Sequence, residues 1–177
     1  EIQDEKSVQE KVVGGNISLS DRWYHIGFSG YRRLLDAQHI ADKNPQQYYE
    51  FKGNTNTVAG LNYQMQTGHF YFFGEQSLNY KNGWAFLNGV RTHISDYFGM
   101  SLLHRFYQPD YFAGFSGAFA EGSGSSNEKG LYLGAELGLL SDISLSFYLD
   151  SYAFPWLRHA VDAPSNGTEL FLNLNYS

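Results

Sequence analysis

Leu131, Leu133, Ala135, Leu137 and Leu139 alternate with Gly130, Tyr132, Gly134, Glu136 and Gly138. After Ser141-Asp142 the alternation resumes, with Ile143, Leu145, Phe147 and Leu149 set against Ser144, Ser146, Tyr148 and Asp150. A period of two sends the two sets to opposite faces of a strand. Each segment is about 10 residues long, the length a tilted strand needs to cross a bilayer. One face is apolar and the other glycine-rich, polar or charged. The pair predicts transmembrane β-barrel strands, apolar toward lipid and polar toward a lumen.

The same reading predicts nine strands, over residues 12–20, 22–32, 55–65, 69–79, 83–92, 97–107, 129–140, 143–153 and 168–176. Connectors after the first, third, fifth and seventh are short. Those after the second, sixth and eighth are long, spanning about 33–54, 108–128 and 154–167. Only the connector around Tyr80-Lys81-Asn82 breaks the rule. Short turns at one rim and long loops at the other are how outer-membrane barrels are built, the long side lying outside the cell. Residues 1–11 are charged and aperiodic, a tail or upstream loop, which leaves 12–177 as the antiparallel barrel segment. Nine is odd, whereas single-chain bacterial barrels close with an even number, so part of a larger barrel is expected. If Val12–Ser20, weakened by Gly14-Gly15, is instead a tail, the other strands make an eight-stranded barrel.

Composition sharpens this picture. Aromatics make up 18% of the 177 residues, above ordinary usage, and they cluster at strand ends. Trp23, Tyr24, Phe70, Tyr71, Tyr97 and Phe98 follow the short turns, while Tyr31, Tyr80, Phe106, Tyr107, Tyr152 and Phe154 lie at the opposite ends. Two bands a strand length apart predict interfacial girdles. A soluble antiparallel barrel or sandwich, the other fold reading, has no need of such banding. No run of 18 apolar residues occurs, which excludes a membrane helix. Cysteine is absent, which excludes disulfide and thiolate chemistry. The net charge of -6 argues against nucleic-acid binding through this region.

The stretch Tyr152-Ala-Phe-Pro-Trp-Leu-Arg-His-Ala-Val-Asp-Ala-Pro-Ser-Asn-Gly167 is distinctive. It resembles a segment of large outer-membrane proteins that contain helix-hairpin-helix repeats, where a similar Phe-Pro-Trp-Leu…Val-Asp-Ala-Pro-Ser-x-Gly stretch lies in a β-barrel region. The likeness spans roughly residues 55–177 and includes Ser126-Asn-Glu-Lys-Gly130, although no helix-hairpin-helix repeat occurs in this chain. The resemblance implies a many-stranded barrel in the bacterial outer membrane and carries no activity with it. Its residues also read on their own terms. Pro155 and Pro164 bracket a non-strand loop. Trp156 and Leu157 are available to fold into the lumen or to sit at the interface, and Arg158 and Asp162 are spaced to pair across a compact loop.

His25, Glu75, Arg91, Arg105, Glu136, Asp150 and Glu169 form the inward set, the lumen-lining residues of a porin-like passage or of a solvated, hydrogen-bonded interior. The six histidines (25, 39, 69, 93, 104 and 159) lack zinc-site spacing, so no metal and no cofactor is expected. His93-Ile94-Ser95 has the spacing of a lipid-hydrolase pair but falls in an expected turn. Ala113–Ser126 is rich in small residues without the Gly-Lys-Ser/Thr of a phosphate loop, and predicts an external loop able to fold inward. Residues 33–53 predict a loop with a helical turn before Pro45. Three functions remain open at this level: transport or envelope scaffolding, a lipid-modifying hydrolase, and an assembly component gripping a partner by its long loops. The expected partners are outer-membrane lipid and the rest of a barrel or other envelope proteins.

Overall fold

The computed structural model describes residues 9–39, 44–80, 83–122, 124–140 and 142–176; residues 1–8 of the expected tail lie outside it. Nine strands form one antiparallel sheet: β1 (Glu10–Ser20), β2 (Tyr24–His39), β3 (Gly53–Thr67), β4 (Phe70–Asn79), β5 (Gly83–Ser95), β6 (Phe98–Tyr107), β7 (Glu128–Leu140), β8 (Ile143–Phe154) and β9 (Ser165–Tyr176). Their order in the sheet is their order in the chain. β1 and β9 each pair on one side, so among the described residues the sheet is open.

The meander bears out the all-β, antiparallel part of the expected fold, and several boundaries differ. Val12–Ser20 is a strand and not a tail, paired with β2 from Glu10↔Leu35 to Ser20↔His25. β2 continues to His39, through residues expected to form a loop. Arg33-Leu34-Leu35-Asp36 lacks clean alternation, but tertiary pairing overrides it. Arg33 Nε sits 2.7 Å from Glu10 Oε1, and the Asp36 side chain accepts the Gln9 amide at 2.9 Å. The helical turn falls at Pro45–Gln47, starting at the proline, whose fixed φ suits a first helical position. β5 runs through the expected turn to Ser95 and ends in a bulge between His93 and Ser95.

Register carries face from strand to strand, because directly opposed residues point the same way. One face holds Ser29 and Tyr31 of β2, Asn56 and Val58 of β3, Glu75 and Ser77 of β4, and Ala85 and Leu87 of β5. The same face continues with Arg105 and Tyr107, Glu128 and Gly130, Asp150 and Tyr152, and Gly167 and Glu169. The opposite face carries Ile17, Phe28, Leu61, Phe72, Phe86, Leu102, Leu133, Leu149 and Leu172.

The hydrophobic core is small and lies on the polar face. Ala85, Tyr107 and Tyr111 are its buried centre, with Ala113 and Ala120 packed against them. Its second layer is the connector 108–127, not another sheet. Parity also divides the expected aromatic band at the long-loop rim. Phe106 joins Trp84 and Phe86 on the apolar face, with ring centroids 5.1–5.5 Å apart. Tyr31, Tyr107, Tyr152 and Phe154 fall on the other parity and pack inward, so they are not girdle residues.

Candidate functional site

The connector 108–127 folds back across the polar face, and strands β2, β3, β4, β6 and β7 each hold it. Tyr111 donates its hydroxyl to Ser77 Oγ at 2.8 Å. The carbonyl of Phe112 accepts from the side chains of Asn56 and Asn79, and its ring stacks on Phe51 at 5.0 Å. Phe115 meets Tyr31 edge-on at 5.3 Å. Tyr107 donates its hydroxyl to the Phe119 carbonyl at 2.7 Å. Small residues permit this path: a Cβ added at Gly114 would lie 2.9 Å from Arg33 Nη1.

The deepest anchor is an ionic cluster. Arg105 Nε donates to Glu128 Oε1 at 2.5 Å and its Nη1 to Asp150 Oδ1 at 2.9 Å. Arg105 and Glu128 are both 0% exposed. The Glu128 carboxylate also accepts the amides of Glu121 and Gly122 at 2.9–3.0 Å, tying the connector to the cluster. The pairing offsets the burial of charge, since removing one partner of a buried ion pair costs on the order of 3–5 kcal/mol; Arg105 Nη2 alone of the guanidinium nitrogens makes no hydrogen bond among the described residues. The guanidinium lies flat over Gly130, where a Cβ would meet its carbon at 2.5 Å. Glycine is the residue that lets the cluster form.

The seven expected lumen-lining residues share this one face but do not form one site. Arg105 and Asp150 belong to the buried cluster. Arg91 and Glu136 approach each other at 3.9 Å, both exposed, which is worth little. Glu169 accepts the Tyr148 hydroxyl at 2.5 Å, and His25 Nδ1 lies 2.7 Å from Ser20 Oγ. Glu75 stands apart, exposed beside a half-open cavity of about 410 Å³ between sheet and connector. The His-x-Ser pair is not assembled: Ser95 Oγ accepts the Tyr97 amide, and the nearest partner of His93 Nε2 is Arg91 at 3.5 Å.

The segment after β8 packs as a clasp at the long-loop rim. Phe154 is buried, with the Arg158 guanidinium 3.7 Å above its ring centroid. Trp156 Nε1 donates to the Pro45 carbonyl at 2.9 Å, and its ring packs on Tyr48 and Tyr49. The expected Arg158–Asp162 pair does not form. Arg158 closes a backbone turn with Val161 instead, and Asp162 accepts from Gln46 Nε2 at 3.0 Å. Cation–aromatic packing and the neighbouring loop outcompete a solvated ion pair at this spacing. Asn127, at φ 56°, links the clasp to the inward connector: it accepts the Trp156 amide at 2.7 Å and donates to the Trp156 carbonyl at 3.1 Å. The loops before β3, β7 and β9 therefore make one body around a second, open cavity of about 850 Å³.

Glu128, Asn56, Asn79, Tyr111 and Asn127 are the functional-site residues that sequence reasoning missed. Glu128 was within reach, since it shares parity with Gly130 and Glu136 and sits one residue before the expected strand start. Asn127 and Tyr111 lie outside any period and carry no such signal. Fold and site together define an all-antiparallel β-meander whose polar face is covered by its own connector at the long-loop end and left exposed at Arg91 and Glu136. No protein-family model, no curated protein and no solved structure matches the chain.

Proposed function

We propose that this sheet is a segment of an outer-membrane β-barrel, and that the 108–127 connector is the constriction of its lumen. The carrying observation is the inverted placement of side chains. Ile17 and Leu170 are each 74% exposed on a face that carries apolar side chains on all nine strands, beside Gln76, Asn88 and His104 in its middle, while Arg105 and Glu128 are fully buried on the other. Soluble monomers rarely expose an apolar surface wider than a few hundred Å². A bilayer is the solvent that accepts it. In lipid the unpaired edges of β1 and β9 must also find partners, which favours closure by further strands and agrees with the resemblance to helix-hairpin-helix outer-membrane proteins.

In this reading the role is passage through, or scaffolding within, the envelope. The mixed charges lining the polar face suit an aqueous interior, and the connector narrows it. The lipid-hydrolase reading draws nothing from His93 and Ser95, which face different partners. The test is conductance in planar bilayers of the natural protein and of a variant lacking residues 113–122. Passage predicts small or closed conductance for the first and larger steps for the second. A variant that inserts and never conducts contradicts a passage role.

A further inference from the structure

The 410 Å³ cavity beneath the connector lies within the size range of small-molecule sites, about 300–1,000 Å³. Tyr31, Tyr107, Tyr111 and Phe115 supply aromatic walls, and among the described residues Glu75 is the one charged side chain that lines it. Every other charged group nearby is committed: Arg33 pairs with Glu10, and Arg105 with Glu128 and Asp150. Glu75 makes no hydrogen bond or ion pair among the described residues, yet lies within electrostatic reach of the Tyr107 and Tyr111 hydroxyls. A lone carboxylate at the wall of an aromatic cavity is not needed to hold the fold.

We infer that this cavity is a binding site for a small organic cation, an amine or quaternary ammonium group, with Glu75 as its counter-ion. The chemistry discriminates among ligand classes. An anion would meet Glu75 with no free cation to offset it, and the adjacent Arg105 cluster sets two carboxylates against one guanidinium. A hard metal ion requires about six oxygen ligands, several of them charged, and among the described residues no three acidic or histidine side chains converge. An organic cation suits both features, since aromatic rings attract a cation and the carboxylate adds its charge. Placement of Tyr111 and Phe115 on the connector makes the site depend on the folded-in state of that loop. The inference concerns the cavity alone and does not rest on the membrane reading.

Choline and its neutral isostere 3,3-dimethylbutan-1-ol separate charge from shape. Isothermal titration of the full chain in a maltoside detergent, free of choline headgroups, is expected to show saturable one-to-one choline binding. The isostere should bind at least tenfold more weakly. Glu75→Gln, at an exposed position that leaves the core untouched, should weaken choline at least tenfold with an unchanged unfolding transition. Absence of saturable choline binding, equal affinity for the isostere, or undiminished affinity in Glu75→Gln would each overturn the assignment. The isostere comparison needs no variant, so the conclusion survives even if a substitution impairs folding.

Discussion

At Glu128 one carboxylate does two jobs, neutralising half of Arg105 and receiving two amides of the connector. Glu128→Ala strips both at once. It should leave residues 113–122 free to lift from the sheet and raise their rate of cleavage in limited proteolysis at least tenfold. Arg105→Ala leaves two buried carboxylates facing each other and should cost about 3–5 kcal/mol of unfolding free energy, as loss of one member of a buried ion cluster does. Asp150 is 5% exposed and belongs to the same cluster, so Asp150→Ala combined with Arg105→Ala should cost less than the sum of the two. A different residue-scale device holds the middle of the connector. Burial pushes the Tyr111 phenol above its usual range near 10, partly offset by its hydrogen bond with Ser77. A raised folded-state value means the contribution of the neutral phenol is intact below the unfolded value and lost as pH climbs through the folded one. Docking of the connector should therefore be insensitive to pH through neutrality and loosen only in strong alkali. In an absorbance titration at 295 nm, Tyr111→Phe should remove a late-titrating phenol.

Strands are where periodicity speaks, and where it stops. β7 and β8 are legible because Leu131–Leu139 and Ile143–Leu149 alternate without interruption, and period two leaves no helical alternative. The seven inward polar residues were assigned to one face by the same parity, and register places them there. What parity alone could not give is which side chain lies over which backbone. Arg105 needs Gly130 across the β6–β7 pair, and Tyr152 lies over Gly167 across β8–β9, where an added Cβ would sit 2.6 Å from the ring. These cross-strand fits depend on register, which is fixed by the whole sheet. The clasp was legible as a non-strand segment from Pro155 and Pro164, but its partners were not, since Pro45 and Gln46 lie more than a hundred residues away in sequence. Glycines make the element-scale prediction sharp. Gly130→Val should displace Arg105 and destabilise the protein about as much as loss of the ionic cluster. Gly15→Val, on the apolar face of β1 with no atom within 4 Å of its added Cβ, should shift stability by no more than about 0.5 kcal/mol.

For the whole molecule, large apolar side chains stand exposed on one face of the sheet while its buried ions lie on the other. The buried core is a handful of residues under a loop, while leucines, isoleucines and phenylalanines stand exposed from β1 to β9. Among the described residues nothing covers that face. The absence of cysteine makes the question directly accessible, because single cysteines report without background. Along β7 and β8, Leu131, Leu133, Leu145 and Leu149 lie on the apolar face, and Tyr132, Gly134, Ser146 and Tyr148 on the other. The decisive measurement is a nitroxide scan of these eight positions in protein reconstituted in liposomes, comparing collision with oxygen, which partitions into lipid, and with a water-soluble nickel chelate. Lipid contact predicts a period of two, with oxygen favoured at the four leucines and nickel at the other four. Equal nickel access at both parities would show that water bathes both faces, and the barrel reading would have to be abandoned.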